Sequence, residues 1–212
     1  MLELSGLREA IINGDDKLAL EITQQALKEE VNPVELINKW MIPAMDEVGR
    51  RFEAQEFFFP EMLIAARAMK RALEPIRPLL AASGVEPIAR VVIGTVQGDL
   101  HDIGKTMVGQ MLEGAGFEVH DIGIDVPADK FIEAVKTHDA QILALSALLT
   151  TTMPEMQRIL ELADRSGLRN SIKIIIGGAP ITQDFADKIG ADGYGENAAS
   201  AVTVARALVD AR

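Results

Sequence analysis

The stretch RVVIGTVQGDLHDIGKT, residues 90–106, decides the fold. Its first part, Arg90–Val96, is a short β-branched run of the kind that forms a buried strand. The run ends in small and polar residues at Gln97, Gly98 and Asp99, and helical spacing begins near Gly104. Further runs of the same kind follow at Phe117–Ile122, Ile142–Ser146 and Ile172–Ile176, with a weak fifth near Asp192–Tyr194. Helical stretches separate them at about 104–115, 128–138, 153–167, 180–190 and 197–211. Strictly alternating β and α segments predict a parallel sheet covered by helices on both faces.

Upstream the period changes. Residues 1 to about 80 carry helical spacing only. Leu4, Leu7 and Ile11 share one face, and Asn13-Gly14 breaks it. Asp15 is placed to cap a helix bearing Leu18, Ile22 and Ala26, and Asn32-Pro33 is a second start signal. Ile37, Trp40, Met41, Ala44, Met45 and Val48 follow, with Pro43 inside their pattern, where it should kink the helix or loosen one turn. A fourth helix begins near Pro60, burying Met62, Ala65, Ala66, Met69, Ala72, Leu73 and Ile76. The expected architecture is α/β. A four-helix bundle over 1–84 precedes a Rossmann-like, flavodoxin-like five-stranded parallel sheet over 88–212. Pro75, Pro78, Gly84 and Pro87 mark the linker between them at 75–88, a candidate hinge.

Composition narrows the function. The 212 residues include 21 Lys and Arg against 32 Asp and Glu, a net charge of -11. So acidic a chain is a poor partner for nucleic acid or an anionic membrane. There is no cysteine, which excludes disulfides, thiolate metal sites and a Cys nucleophile. The first residues do not read as a signal peptide, and no apolar run approaches the roughly 20 residues that span a bilayer. A cytoplasmic protein is therefore expected.

Ligands of open α/β sheets bind beyond the carboxyl ends of the strands. The segments there are 97–106, 146–152, 177–180 and 195–198. Gly104-Lys105-Thr106 imitates the end of a phosphate loop, but the glycine that such a loop needs five positions earlier is Asp99, whose carboxylate repels phosphate. The three histidines, His101, His120 and His138, lack metal-ligand spacing. One histidine can still bind a single axial position of a metal held by a macrocycle, and Asp99 could then fix its tautomer through the other ring nitrogen. By itself the pair reads equally as a loop histidine with a local hydrogen bond.

Asp99-x-His101-x-x-Gly104, then Ser146-x-Leu148, then Gly177-Gly178, each after a strand, together resemble the cobalamin-binding motifs of the methionine synthase class of corrinoid domains. The helical half resembles their cap domain in Gly49, Phe52, the Phe57–Pro60 run and Ala66–Lys70. Among that class, the chain is most similar to the small corrinoid proteins of methyltransferase systems that act on methylamines, betaines, methanol or methoxylated aromatics.

The resemblance implies cobalamin or a related corrinoid, cycling between methylcobalamin and cob(I)alamin. It implies that His101 is the lower cobalt ligand, that Asp99 bonds His101, and that Thr152 continues the relay, where methionine synthase has serine. Gly98, just before the first motif, and Ile103, within it, would also contact the cofactor. Ser146 and Thr150 would hydrogen-bond the displaced nucleotide tail, and Leu148 would bind the cofactor. Gly104, Gly177 and Gly178 would line its slot, and Glu196, Asn197 and Ala198 would flank it. Phe58, Phe59 and Met62 would cover the methyl group. The implied role is a carrier that does not turn over alone. Its partners would be a substrate-specific methyltransferase, a second methyltransferase acting on tetrahydrofolate or coenzyme M, and a reductive activase. Plainer readings stand beside these. The phenylalanines and methionines fit a bundle core, Gly177-Gly178 fits a strand end, and Thr150–Thr152 fits a helix cap. A mutase subunit using adenosylcobalamin would share the sheet and Asp99-x-His101, and a cobalamin-dependent regulator would share both halves but needs a DNA-binding module.

Overall fold

The computed structural model describes residues 4–83 and 87–210. The chain divides into two compact units, one of residues 1–87 with Glu113–Gly116 and one of Ile88–Leu112 with Phe117–Arg212.

The first unit is helical: α1 (Ser5–Ile12), α2 (Asp16–Lys28), α3 (Pro33–Leu36), α4 (Ile42–Glu53), α5 (Phe59–Leu73) and α6 (Arg77–Ser83). Asp15 Oδ1 accepts from the Leu18 amide at 3.0 Å and so caps α2. Asn32 Oδ1 accepts from the Val34 amide at 2.8 Å, with Pro33 at the first position of α3. Between α3 and α4 the helix widens into a π turn, Ile37–Met41, in which the Ile42 amide reaches back to the Ile37 carbonyl. Pro43 follows at once and has no amide to donate, so the ladder loosens where the proline requires it. Leu7, Ile11, Met41, Met45, Val48 and Met69 are fully buried in this unit.

Two expectations need correction. The buried face of α2 runs through Ala19, Thr23 and Ala26, while Leu18 is exposed. Thr23 tolerates burial because its hydroxyl donates to the Ala19 carbonyl at 2.8 Å. The segment read as a linker contains α6: buried Ile76 accepts from the Leu79 and Leu80 amides, and Pro78 lies in the first turn, which a helix tolerates. Residues 84–86, which include Gly84, lie outside the described residues.

The second unit is a parallel sheet of β1 (Arg90–Thr95), β2 (Glu118–Asp121), β3 (Ile142–Ser146), β4 (Lys173–Gly177) and β5 (Gly193–Gly195) in the order β2-β1-β3-β4-β5. The intervening helices are α7 (Ile103–Gly114), α8 (Ala128–Thr137), α9 (Met153–Arg165), α10 (Gln183–Ile189) and α11 (Ala198–Asp210). Val92, Leu143 and Ile174, buried in one row, anchor the middle of the sheet. At the carboxyl edge Thr95 pairs with Ser146, Ser146 with Gly177, and Gly177 with Gly195. One row of small residues therefore ends four strands at the same level. The chain direction across the sheet reverses between β1 and β3, so a crevice for ligand is expected above those two strands. Among the described residues no helix is long and apolar enough to cross a membrane.

Candidate functional site

The loops after β1 and β3 meet at the Asp99 carboxylate, which is wholly buried. Its Oδ1 accepts from the His101 amide at 3.1 Å and faces His101 Nδ1 at 2.7 Å. Its Oδ2 accepts from the Leu148 amide at 2.7 Å, the Leu149 amide at 3.2 Å and the Thr152 hydroxyl at 2.9 Å. Burial pushes the pKa of Asp99 up, but the hydrogen bonds from His101, Leu148 and Thr152 outweigh it and hold the carboxyl well below the usual range. An ionised carboxylate only accepts, so Nδ1 carries the imidazole proton and Nε2 carries the lone pair. The His101 side chain is 52% exposed, which presents that nitrogen to a ligand.

The Thr152 hydroxyl also lies 2.9 Å from the Leu149 carbonyl, but its single proton favours the charged Asp99. Thr152 stands at the N-cap of α9 and makes no side-chain cap there. Its hydroxyl serves Asp99, not the helix.

Exposed apolar side chains stand on the two loops that meet at Asp99. Leu100 and Ile103 are 68% and 66% exposed, and Leu148 and Leu149 are also exposed. Four large exposed apolar side chains on two adjoining loops are unusual on a solvated edge and mark a binding surface. Gly104, in the first turn of α7, faces open space, with nothing within 4 Å of where a Cβ would stand. Lys105 does not face that space. It is buried, and its ammonium is paired with Asp121, so the resemblance to a phosphate loop ends there.

Other expected residues serve the fold. Gly178 has φ 133°, and a Cβ there would collide with the Ala147 carbonyl. A Cβ on Gly177 would stand 2.9 Å from the Gly195 carbonyl oxygen. Asn197 Oδ1 accepts from the Ser200 amide while Ser200 Oγ accepts from the Asn197 amide, both at 2.9 Å, a reciprocal cap of α11. Ser146 is half-buried at the end of β3, Thr150 and Glu196 are exposed, and Ala198 is buried. His120 and His138 stack on each other at 3.7 Å. Among the described residues no cluster of metal-ligating side chains occurs.

In the helical unit Phe58 and Phe59 are exposed, whereas Met62 is buried. The phenylalanine run is held from beneath. Glu61 accepts from the Phe58 amide at 3.0 Å, and the Arg51 guanidinium lies 5.1 Å from the Phe57 ring centroid. Hydrogen bonds from Arg50 and Arg51 hold Glu47 at a pKa of about 2.

The B12 binding domain family matches residues 89–203, and a second family, also described as a B12 binding domain, matches residues 4–76. The chain belongs to the B12-binding family. This B12-binding chain is 46% identical over 204 residues to trimethylamine corrinoid protein 1 of Methanosarcina acetivorans, covering 95% of this chain and 94% of the relative. It is 45% identical to dimethylamine corrinoid protein 1 of the same organism, covering 97% of both. A cobalamin-binding protein from Desulfitobacterium hafniense superposes with a TM-score of 0.80 at 32% identity, covering 98% of each chain. A chain of the methanol:cobalamin methyltransferase complex from Methanosarcina barkeri superposes with a TM-score of 0.86 at 31% identity, covering 99% of this chain and 81% of that one.

The residues present fit a corrinoid. A planar, largely apolar macrocycle needs an apolar seat, one axial donor and a slot for its tail. The exposed leucines and Ile103, His101 Nε2 and the open space at Gly104 meet those needs. Sequence reasoning missed the Leu149 amide and Asp125, whose carboxylate accepts from the Gly98 amide at 2.7 Å. No local pattern announces either.

Proposed function

We propose that this chain carries a methyl group on the cobalt of a bound corrinoid, with His101 Nε2 as the lower ligand. One observation carries the assignment: buried, ionised Asp99 fixes His101 Nδ1–H at 2.7 Å and so directs Nε2 outward at the β1/β3 crevice. When bound, the corrinoid supplies a cobalt centre that accepts and releases a methyl group.

The protein supplies position and charge. Asp99 sets the tautomer and makes Nε2 a stronger donor. Thr152 and the Leu148 and Leu149 amides keep Asp99 ionised. Leu100, Ile103, Leu148 and Leu149 would shield a bound corrinoid from water. Phe58 and Phe59 are the proposed apolar cover of the methyl group. Gly104, Ser146 and Thr150 are proposed to receive the tail, flanked by Gly177, Gly178, Glu196, Asn197 and Ala198.

The relatives named as trimethylamine and dimethylamine corrinoid proteins support methylamines as the source of the methyl group. The complex that contains a structural neighbour supports a methyltransferase partner. The proposed cycle is completed by a second methyltransferase, acting on tetrahydrofolate or a thiol coenzyme, and by a reductive activase.

The test is an absorption spectrum of protein reconstituted with hydroxocobalamin and desalted, beside His101→Ala. Retained corrinoid in the wild type, with a lower-ligand band altered in the variant, is expected. A folded wild type that retains none would overturn the proposal.

A further inference from the structure

The edge of the sheet beside β1 is irregular in a way that bears on His101. Arg90–Ile93 pair in register with Glu118–Asp121, but the next pairing along β1 is Val96 with Val126. Gly94 and Thr95 therefore stand opposite four residues, 122–125. The excess is a bulge, and it takes two left-handed residues to make it: Gly123 at φ 95° and Asp125 at φ 53°. A non-glycine residue in that region is strained unless its surroundings hold it there, although aspartate tolerates it better than most.

Both ends of the bulge are anchored. At its start, Asp121 Oδ1 accepts from the Gly123 amide at 2.9 Å while Oδ2 takes the buried Lys105 ammonium from α7. At its end, Asp125 closes a two-way clasp on the β1 loop. The Asp125 amide donates to the Asp99 carbonyl at 3.0 Å, and Asp125 Oδ1 accepts from the Gly98 amide at 2.7 Å. Gly98 is itself left-handed, at φ 82°. The turn that carries Asp99 into the core and His101 out of it is thus gripped by the bulge at two successive residues.

Resting on the reading of His101 as the cobalt ligand, we infer that Asp125 is a positioning residue for it. The clasp fixes the 98–99 peptides, the buried carboxylate hangs from them, and the imidazole hangs from that carboxylate. Without the clasp, Asp99 retains its partners but the loop gains freedom, and Nε2 spends less time where it would meet the metal. Lys105 and Asp121 share the work by holding the other end of the bulge.

The experiment compares Asp125→Gly and Asp125→Asn. Glycine removes the acceptor while accepting the left-handed backbone, so folding is not the issue. Asparagine retains an acceptor oxygen and the tolerance for that backbone but loses the charge. Each protein is reconstituted with hydroxocobalamin and reduced to the cob(II) state. Electron paramagnetic resonance then reads the fraction of cobalt coupled to an axial nitrogen, and far-UV circular dichroism checks the fold. Asp125→Gly should raise the uncoupled fraction about three- to ten-fold, the scale of one lost hydrogen bond, and Asp125→Asn should stay near wild type. Coupling retained in both variants, or lost in both, overturns the inference. A wild type whose nitrogen coupling is absent or survives His101→Ala overturns the ligand assignment instead, and the inference with it.

Discussion

The turns after β1 and β4 sit on the same edge of the same sheet, and both carry residues of the corrinoid motifs. They are built in opposite ways. The β1 turn is held by side chains: Asp99 gathers His101, Thr152 and two amides of the β3 loop, and Asp125 clasps it from the other side. The β4 turn is held by backbone shape. Gly178 adopts φ 133°, the Ala147 amide donates to the Gly177 carbonyl at 3.2 Å, and the Ile181 amide donates to the Gly178 carbonyl at 2.9 Å. Its glycines are explained by the chain's own packing. In the β1 turn the glycine at 104 is explained by nothing in the chain, since a side chain would meet open space there. A motif glycine that the fold does not need is the better indicator of a ligand.

Substituting the β4 turn should give the largest effect. Gly178→Ala places a methyl group against the Ala147 carbonyl and forces a backbone region that alanine rarely enters. Strain and overpacking together should cost about 4 kcal/mol in urea unfolding. A variant that unfolds at the wild-type midpoint would show that the turn relaxes cheaply and that the fold does not require Gly178.

Asp99→Asn tests the β1 turn. An amide cannot accept from every donor that the carboxylate now satisfies, and about 3 kcal/mol should be lost at neutral pH. The pH dependence has a definite sign. The pKa of Asp99 in the folded protein lies below its ordinary value of 3.8, so its ionised form stabilises the fold fully above that value. The contribution is lost as the pH falls toward the folded value. The gap in stability between wild type and Asp99→Asn should therefore narrow from about pH 4 down to pH 2. A gap that stays constant over that range would mean that ionisation of Asp99 contributes nothing.

The same contrast explains what the sequence disclosed. The strands were legible because β-branched runs such as Val91–Ile93 and Ile174–Ile176 are buried on both faces and leave a continuous apolar signal. Even β5 showed through, as three residues between Asp192 and Glu196. Asp99 and His101 were placed just after β1 by the motif, Thr152 was named only through the resemblance, and the structure brings the three side chains together. The bulge was not. Asp125 reaches Gly98 across 27 residues through a slip in register that no local periodicity encodes, and Lys105 reaches Asp121 across 16. The helix α6 was hidden for a local reason: Pro78 announces a break, but in a first turn it starts a helix as readily as it ends one.

Gly104→Ala gives the smallest effect and the sharpest separation between the two turns. Gly104 lies in α7 with ordinary helical backbone and an empty neighbourhood. Alanine there costs no contact and removes the entropy that glycine loses on entering a helix, so stability should rise by up to about 1 kcal/mol. If the open space receives the corrinoid tail, the same methyl group occupies part of the slot. Retention of hydroxocobalamin through dialysis should then weaken, by about ten-fold for a loss of roughly 1.4 kcal/mol in binding. The two readouts move in opposite directions, which no general damage to the fold can imitate. Gly178→Ala should do the reverse, losing stability first and corrinoid only as a consequence. A Gly104→Ala protein that is stabilised and still holds its corrinoid as tightly as wild type would move the tail away from α7, while leaving His101 and Asp99 in place.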